Sequence, residues 1–317
     1  MSGAQAMTEP RIVIVTPVYE DAESARVLFR ELADQVGNAR IVAVDDGSLH
    51  DPLHEDALRA AGMKGAVIRL RRNLGHQGAI AVGLSYVHER IADCDRVVVM
   101  DSDGEDRPES VRLLLQQLDA TGADVSVAER RKRNESLTFR AFYAVYKFLF
   151  SLLTGRTISF GNFMALRPAA LARLTAMNEI WIHLAGAVIA SRLRIAGTKI
   201  DRGSRYRGSS KMSFVGLVLH GFKGVMVFSE QVLIRMGGAS LVVAVAALLV
   251  ILAALTMKLV DAASPGWLST VVSSMVLIFL QTGVLTLITL MITGLVRAST
   301  LNRIDYRSFV ERIVEVD

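Results

Sequence analysis

A single cysteine, Cys94, is all that the 317-residue chain contains, so an intramolecular disulfide, a thiolate zinc site and a redox dithiol are excluded, and a reducing compartment fits. Its six histidines are scattered, and no two have the spacing of metal ligands. No glycine-rich segment ends in Gly-Lys-Ser/Thr or has the Gly-x-Gly-x-x-Gly spacing, which removes the Walker loop and the dinucleotide fingerprint. Basic stretches interleaved with aromatics are missing, as are zinc-finger spacings. The net charge of +5 and pI of about 9.5 therefore point to an anionic membrane surface or anionic substrates, and no nucleic-acid partner is expected. Residues 1–10 lack an apolar core. They are read as a disordered N-terminus without a secretory signal, and the domain after them is expected to stay in the cytoplasm.

Apolar residues, by contrast, are abundant: 51% of the chain, with a mean hydropathy of +0.37. Most of the excess lies after Met212, whereas residues 11–130 alternate apolar and charged stretches as a soluble α/β domain does. Residues 236–257 carry no charge and 267–296 have Gln281 as their most polar side chain; each is long enough to cross a bilayer. Residues 261–266 form the turn between them. Arg235 precedes the pair and Arg297, Arg303, Arg307 and Arg312 come after it, so both ends are expected on the cytoplasmic side. Gln281 is either a bond to a neighbouring helix or subunit or a tolerated polar residue. Residues 139–153 are very apolar but too short to span, and either pack in the core or lie along the interface. Residues 212–229, interrupted by His220 and Lys223, read as an interfacial helix.

Within the polar part, Arg11-Ile12-Val13-Ile14-Val15 is a strand, followed by the loop Thr16-Pro17-Val18-Tyr19-Glu20 and a helix at 22–36. A second strand at 39–44 ends in Asp45-Asp46-Gly47-Ser48. This order implies parallel strands joined by right-handed crossovers, with ligands gathering at the strands' carboxyl ends. Asp45 or Asp46 either accepts from a nucleobase or ribose, or merely caps the next helix. A third strand at 66–70 leads into Arg71-Arg72-Asn73-Leu74-Gly75-His76-Gln77-Gly78-Ala79, whose small residues at a helix start suit close approach to an anion. His76 reads as an incidental loop residue and Trp181 as ordinary packing. Residues 123–127 form a further strand, and the basic run Glu129-Arg130-Arg131-Lys132-Arg133 is either a solvated face or a closure over a diphosphate.

The stretch carrying most chemistry is Asp101-Ser102-Asp103-Gly104-Glu105-Asp106, directly after the buried strand 96–100. Two carboxylates one residue apart at a strand end converge on one hard divalent cation when the backbone kinks. Mg²⁺ or Mn²⁺ prefers such oxygens while keeping waters and substrate phosphates, and Glu105 is a candidate to complete the shell.

Taken together, Pro17-Val18-Tyr19-Glu20, Val44-Asp45-Asp46-Gly47-Ser48, Asn73-Leu74-Gly75 with Gly78-Ala79 and Gly83, and Met100-Asp101-Ser102-Asp103 resemble the motifs of family 2 glycosyltransferases with the GT-A fold. Arg205-Tyr206-Arg207-Gly208-Ser209-Ser210-Lys211 is similar to a segment of the polyprenyl-phosphate glycosyltransferases, the dolichyl-phosphate mannosyltransferase group. The resemblance covers about residues 10–300. It implies that Pro17, Tyr19, Glu20, Asp45, Asp46, Asn73, Gly78, Asp101 and Ser102 hold the nucleotide. It also implies that Asp101, Asp103 and Glu105 surround a Mg²⁺ or Mn²⁺ ion on the donor diphosphate. Arg130 and Arg133 match the basic positions of a mobile loop, Arg133 toward the acceptor phosphate; Arg205 and Lys211 match a phosphate-facing pair. Two departures stand out: Glu105 replaces the usual Gln, and Gly161-Asn162-Phe163 replaces Gly-Asp-Phe, whose Asp has been considered a catalytic base. Asn162 takes no proton, and reads as an acceptor- or sugar-positioning residue or a turn residue.

The expectation is thus an α/β chain with a GT-A, Rossmann-like mixed sheet flanked by helices over 11–210. An interfacial helix (211–231), a transmembrane hairpin (232–298) and a cytoplasmic tail (299–317) come after it. The activity expected is inverting transfer of a hexose from a UDP- or GDP-sugar to polyprenyl phosphate at the cytoplasmic membrane, with Asp103, Arg130, Asn162, Arg205 and Lys211 around the reacting groups. Paired hairpins allow self-association into dimers or tetramers. The rivals are a processive polysaccharide synthase, disfavoured because no Gln-x-x-Arg-Trp segment is present, and an inactive nucleotide-binding scaffold.

Overall fold

The structure, a computed structural model, describes residues 10–130, 137–208, 214–259, 266–300 and 304–317. It falls into two compact units. The first holds residues 1–142, 158–227 and 303–317; the second holds 143–157 and 228–302.

In the first unit, β1 (Ile12–Val18), β2 (Arg40–Asp45), β3 (Lys64–Leu70) and β4 (Arg96–Val99) alternate with helices α1 (Ala22–Gln35), α2 (Asp56–Ala60) and α3 (His76–Arg90). Then come α4 (Ser110–Thr121), β5 (Val125–Arg130), α5 (Leu137–Thr154), of which residues 143–154 belong to the second unit, β6 (Phe160–Leu166), α6 (Pro168–Thr175), α7 (Leu184–Ala190), β7 (Ile195–Ile200) and α8 (Phe214–Met226). The strands form one mixed sheet in the order β7-β5-β6-β4-β1-β2-β3-β8, where β8 is Val310–Val316. β1, β2, β3 and β4 run parallel, and β6 enters antiparallel between β4 and β5.

Val and Ile fill the central strands because both faces are covered. On one face Val13, Val15, Val42 and Val44 pack with Ile80, Leu84 and Val87 of α3 and with Leu171 and Leu184. On the other, Ile14, Ile41 and Val98 meet Leu28, Phe29 and Leu32 of α1 and Leu114 of α4. Alternate residues of each strand thus serve opposite layers. Gly83 lets α3 lie this close: a Cβ there would stand 2.5 Å from Val15 Cγ1 and 3.1 Å from Val44 Cγ2.

The C-terminal residues are not a free tail. Val310–Val316 pairs antiparallel with β3, from Gly65↔Val316 to Leu70↔Val310, after a 3-10 turn that buries Tyr306. Tyr86 Oη donates to Glu315 Oε1 at 3.0 Å, and Arg307 pairs with Glu89 at 2.6 Å. Seven residues with charges at Glu311, Arg312 and Glu315 make a typical protected edge strand, which carries little apolar signal.

In the second unit, α9 (Ser229–Leu259) and α10 (Trp267–Thr300) pack side by side. Ala247 and Ala254 are the buried positions of α9, small enough for close helix approach, and Thr286 Oγ1 donates to Ser240 Oγ across the pair at 2.9 Å. Among the described residues, Ser229–Leu259 and Trp267–Ile292 are long and apolar enough to cross a membrane. Leu241, Val242, Leu248, Leu285 and Ile288 are exposed, as is Gln281, so these are not the buried helices of a soluble core. The end of α5 has an exposed apolar face of Val145, Phe148, Leu149 and Leu152, while Phe150 is buried edge-on against Phe228, 5.8 Å between ring centres.

Candidate active site

The loops after β1, β2, β3 and β4 meet at the carboxyl ends of these strands, where ligands gather in parallel sheets. Much of their polarity builds the loops themselves. Asp45 is fully buried, and its two oxygens accept the N–H groups of Ser48 and Leu53, each at 2.8 Å. It holds the loop through both oxygens. Glu20, at φ +50°, accepts from the backbone of Leu49, His50 and Asp51 and so ties the first loop to the second; these N–H groups hold its carboxyl below the usual range. Pro17 sits where the β1–β4 ladder has ended, so its missing N–H costs nothing, and its carbonyl accepts from Ser102 Oγ at 3.0 Å. Tyr19 is exposed at the tip of this loop.

Asp46 reaches into the third loop and accepts Leu74 N–H at 2.7 Å. Asn73 Oδ1 accepts from Gly75 N–H, and Gly47, at φ +70°, lets these loops touch: a Cβ there would lie 2.6 Å from Arg72 backbone carbon. Gly78 is buried in the first turn of α3, against Leu74. Burial lifts the Asp46 carboxyl from 3.8 to about 6, against the pull of Leu74 and Gly75 N–H. A carboxyl raised on folding adds stability below pH 3.8 and loses it as pH climbs through about 6, so the buried charge is a cost at neutral pH. Asp46→Asn is therefore expected to raise the unfolding free energy by on the order of 2 kcal/mol at about pH 7.5 and by almost nothing near pH 4. Thermal unfolding in detergent across that range checks it; a gain independent of pH would contradict the burial cost.

After β4 the acidic loop is laced to residues 202–206. Asp103 Oδ1 accepts Glu105 N–H at 3.0 Å and its carbonyl accepts Tyr206 N–H at 2.8 Å, while Glu105 carbonyl accepts Gly203 N–H. Gly104, at φ +91°, lies beneath the Tyr206 ring, where a Cβ would come within 2.8 Å. Tyr206 Oη donates to Glu31 at 2.6 Å. Arg205 Nη2 is 3.0 Å from Asp103 Oδ2, and its Nε is 3.1 Å from Glu105 Oε1. Arg202 also pairs with Glu105. Glu105 is thus paired with two arginines, as Asp103 is with one. Among the described residues no group of three or more His, Cys, Asp and Glu side chains could hold a metal ion. Asp101 and Asp103 remain as a pair. Burial, then the Asp101 charge, raise the Asp103 carboxyl, with Arg205 and Arg202 opposing. Two half-buried, mutually repelling carboxylates fit a hard cation that takes its other ligands from water and a diphosphate.

His76, at the start of α3, belongs to this site. Its Nε2 lies 3.1 Å from Asp101 Oδ1 and 2.9 Å from Asn162 Nδ2 on β6. Leu184 N–H donates to Gln77 Oε1 at 2.6 Å, so Gln77 turns its amide nitrogen to Asn162 Oδ1 at 3.2 Å, and Asn162 turns its own nitrogen to His76. The protein packed around the ring opposes its charge, but Asp101, with Asp106 and Asp103 behind it, outweighs this and raises His76 above its usual value. His183 caps α7 by accepting Gly186 N–H at Nδ1, and its ring lies 4.6 Å from that of His220 on α8. Burial, then His220, push His183 down to about 3, so it is neutral. No spacing announces the meeting of His183 and His220, because it is made by the packing of α7 and α8. Arg130 ends β5 beside Ile200, but its side chain, with Arg133 and Lys211, lies outside the described residues. Trp181 packs 5.7 Å from Phe309.

The class that such a sheet and such loops define is the GT-A glycosyltransferases. The chain belongs to glycosyl transferase family 2, whose model matches residues 13–181. It is 26% identical over 272 residues to an uncharacterised glycosyltransferase, YkcC, of Bacillus subtilis (strain 168), covering 82% of this chain and 81% of that one. It is 24% identical over 216 residues to the undecaprenyl-phosphate 4-deoxy-4-formamido-L-arabinose transferase of Klebsiella pneumoniae (strain 342), covering 66% of this chain and 64% of that one. In fold it resembles glucosyl-3-phosphoglycerate synthase of Mycobacterium tuberculosis, solved with Mn²⁺, UDP-glucose and phosphoglyceric acid, at a TM-score of 0.50 and 16% identity over 71% of this chain and 80% of that one.

Proposed function

We propose that this glycosyltransferase moves one sugar from a nucleoside-diphosphate sugar to polyprenyl phosphate, undecaprenyl phosphate in a bacterium, at the cytoplasmic face of the membrane. The observation that carries the reading is Arg205, a cation 3.0 Å from Asp103 in a segment that leads toward α8. On the described part of α8, Leu219, Phe222 and Met226 share an exposed face at helical spacing, as on an interfacial helix. A lipid phosphate at headgroup depth is the anion such a guanidinium suits. The name of the Klebsiella relative supports the same acceptor class.

The acceptor phosphate, with a second pKa of about 6, already carries its nucleophilic oxygen near neutral pH. That oxygen attacks the anomeric carbon as the bond to the nucleoside diphosphate breaks, inverting the centre; the product is a polyprenyl-monophosphate sugar. Asp46, Asn73, Gly78, Pro17 and Tyr19 supply the donor's surroundings, with Asp45, Glu20 and Ser102 holding their loops. Arg205, with Lys211, Arg130 and Arg133, neutralises acceptor and donor phosphates. Asp101 and Asp103 would hold a Mg²⁺ or Mn²⁺ ion, which supplies charge neutralisation on the leaving diphosphate.

Two crossings are supported by the return of β8 to the sheet that β1 begins, since a hairpin with both ends on one side fits a chain that shares one sheet before α9 and after α10. Arg235 and Arg297 flank the pair, which supports a cytoplasmic placement of its ends by the positive-inside bias.

Purified protein incubated with undecaprenyl phosphate, Mn²⁺ and a panel of UDP- and GDP-sugars is expected to raise the lipid mass by one sugar residue without added phosphorus. No change with any donor would overturn the reading. Arg205→Ala is expected to raise the KM for the lipid phosphate at least about tenfold. Unchanged acceptor kinetics would remove Arg205 from that role.

A further inference from the structure

We propose that Tyr206 is a positioning residue: it pins residues 202–206 to α1 and so holds the Arg205 guanidinium where the acceptor phosphate is met. This rests on the reading of Arg205 as the cation for that phosphate. Neighbouring side chains of the segment go to different places. Arg205 turns to Asp103 and Glu105, while Tyr206 Oη donates to Glu31 Oε2 at 2.6 Å and Arg207 Nη1 lies 3.5 Å from Glu23, both acids being on α1. The main chain is fixed as well, by Tyr206 N–H on the Asp103 carbonyl at 2.8 Å and Gly203 N–H on the Glu105 carbonyl at 2.9 Å. Arg205 is thus presented from a stretch tied on one side to the acidic loop and on the other to a helix.

Of these ties the phenol decides where the ring lies. The ring rests on Gly104, where no Cβ intervenes, and is only half-buried at the margin of the layer that α1 and α4 form with the sheet. Tyr206 also lines a cavity of about 280 Å³, with Glu31, Asp34, Gln35, Arg107 and Ser204 around it. Packing therefore leaves the ring room to move off Gly104, and the hydrogen bond to a charged acceptor supplies the restraint. Burial, then Glu31, push the phenol above its usual value, so it keeps the proton it donates. The Arg207–Glu23 pair is well exposed and adds little. Tyr206 carries no charge and its hydroxyl is used on Glu31, so an effect of its loss on an anionic acceptor is transmitted by its neighbour Arg205.

The test uses the full-length protein in detergent and reads three quantities: affinity for undecaprenyl phosphate by calorimetric titration without donor, the kinetics of sugar transfer, and hydrogen exchange over residues 203–206. Tyr206→Phe and Glu31→Ala are each expected to weaken lipid binding and raise the lipid KM about three- to tenfold, with kcat and the donor KM within about twofold. Exchange of the Gly203 and Tyr206 amides should quicken in the same variants. Glu31→Gln keeps an acceptor oxygen for the phenol and should stay close to wild type. In an Arg205→Ala background, Tyr206→Phe should add nothing to the loss of lipid affinity, because the two act as a unit. Unchanged lipid affinity in Tyr206→Phe, effects that multiply in the double variant, or an equal rise in the donor KM would each overturn the proposal. Should Glu31→Ala fail to fold, Tyr206→Phe and Glu31→Gln decide it. A wild-type protein that binds the lipid but transfers no sugar would count against the proposed reaction, while titration would still judge Tyr206. Unchanged lipid affinity in Arg205→Ala would overturn the acceptor reading by itself, and the exchange rates would still show whether Tyr206 holds the segment.

Discussion

Asp103→Ala is expected to lower transfer roughly a thousandfold or more and to leave the protein folded. The carboxylate is the point where three functions meet: it pairs with Arg205, accepts Glu105 N–H and stands beside Asp101. Alanine removes one of the two oxygen donors offered to a cation and frees Arg205 to lie wholly with Glu105. The fold should tolerate this. The lost turn bond is worth about 1 kcal/mol, and against it stands the relief of a carboxylate whose charge burial and Asp101 already disfavour. Asp101→Ala is expected to behave likewise. Lipid mass measurement with Mn²⁺ present, alongside thermal unfolding, separates lost chemistry from lost structure; near-normal turnover in either variant would refute the role given to the pair.

The second large effect is expected from deleting residues 304–317. It would strip the β3 edge of the pairs from Gly65↔Val316 to Leu70↔Val310, expose the hole left by Tyr306, and free Tyr86 Oη and Arg71 N–H, which donates to Phe309 carbonyl at 2.9 Å. Burial of Tyr306, Val316 and the half-buried Val310 and Ile313 is worth about 1.5–3 kcal/mol for each fully buried side chain, so the loss approaches the ~5–15 kcal/mol that holds a domain together. The shortened protein should lose its cooperative unfolding transition and aggregate, whereas Tyr306→Ala alone should cost about 3–5 kcal/mol. Gel filtration and circular dichroism in detergent check both. A truncated protein with the melting temperature of the full chain would show β8 to be dispensable.

The order of strands, loops and helices through β5 is legible in the sequence because β-branched runs and helix-period stretches alternate cleanly there, and the two long apolar helices announce themselves by length. What the sequence hides is whatever depends on partners far apart in the chain. β8 pairs with β3 some 245 residues away, and its charges mask the period-two pattern of Val310, Arg312, Val314 and Val316. His76 reads as incidental because its neighbour Asn162 is brought beside it only when β6 inserts antiparallel next to β4. Asp45 and Asp46 are adjacent and chemically identical, yet one points into backbone amides of its own loop and the other across to Leu74. The direction a strand's last side chains take decides between them, and composition carries no trace of it. Spacing places Glu105 beside the aspartates, but the arginines that pair with it come from residues 202–205, far along the chain.

That the final strand lies at the far end of the chain has a bearing on how the molecule is made. During synthesis the ribosome must release both apolar helices before Val310–Val316 emerges to close the sheet. Until then β3 has an open edge, and the loop carrying Arg71 and Arg72 lacks its support from Phe309. Closure of the sheet is in this way ordered after synthesis of both apolar helices, so that a nascent chain covers its β3 edge last.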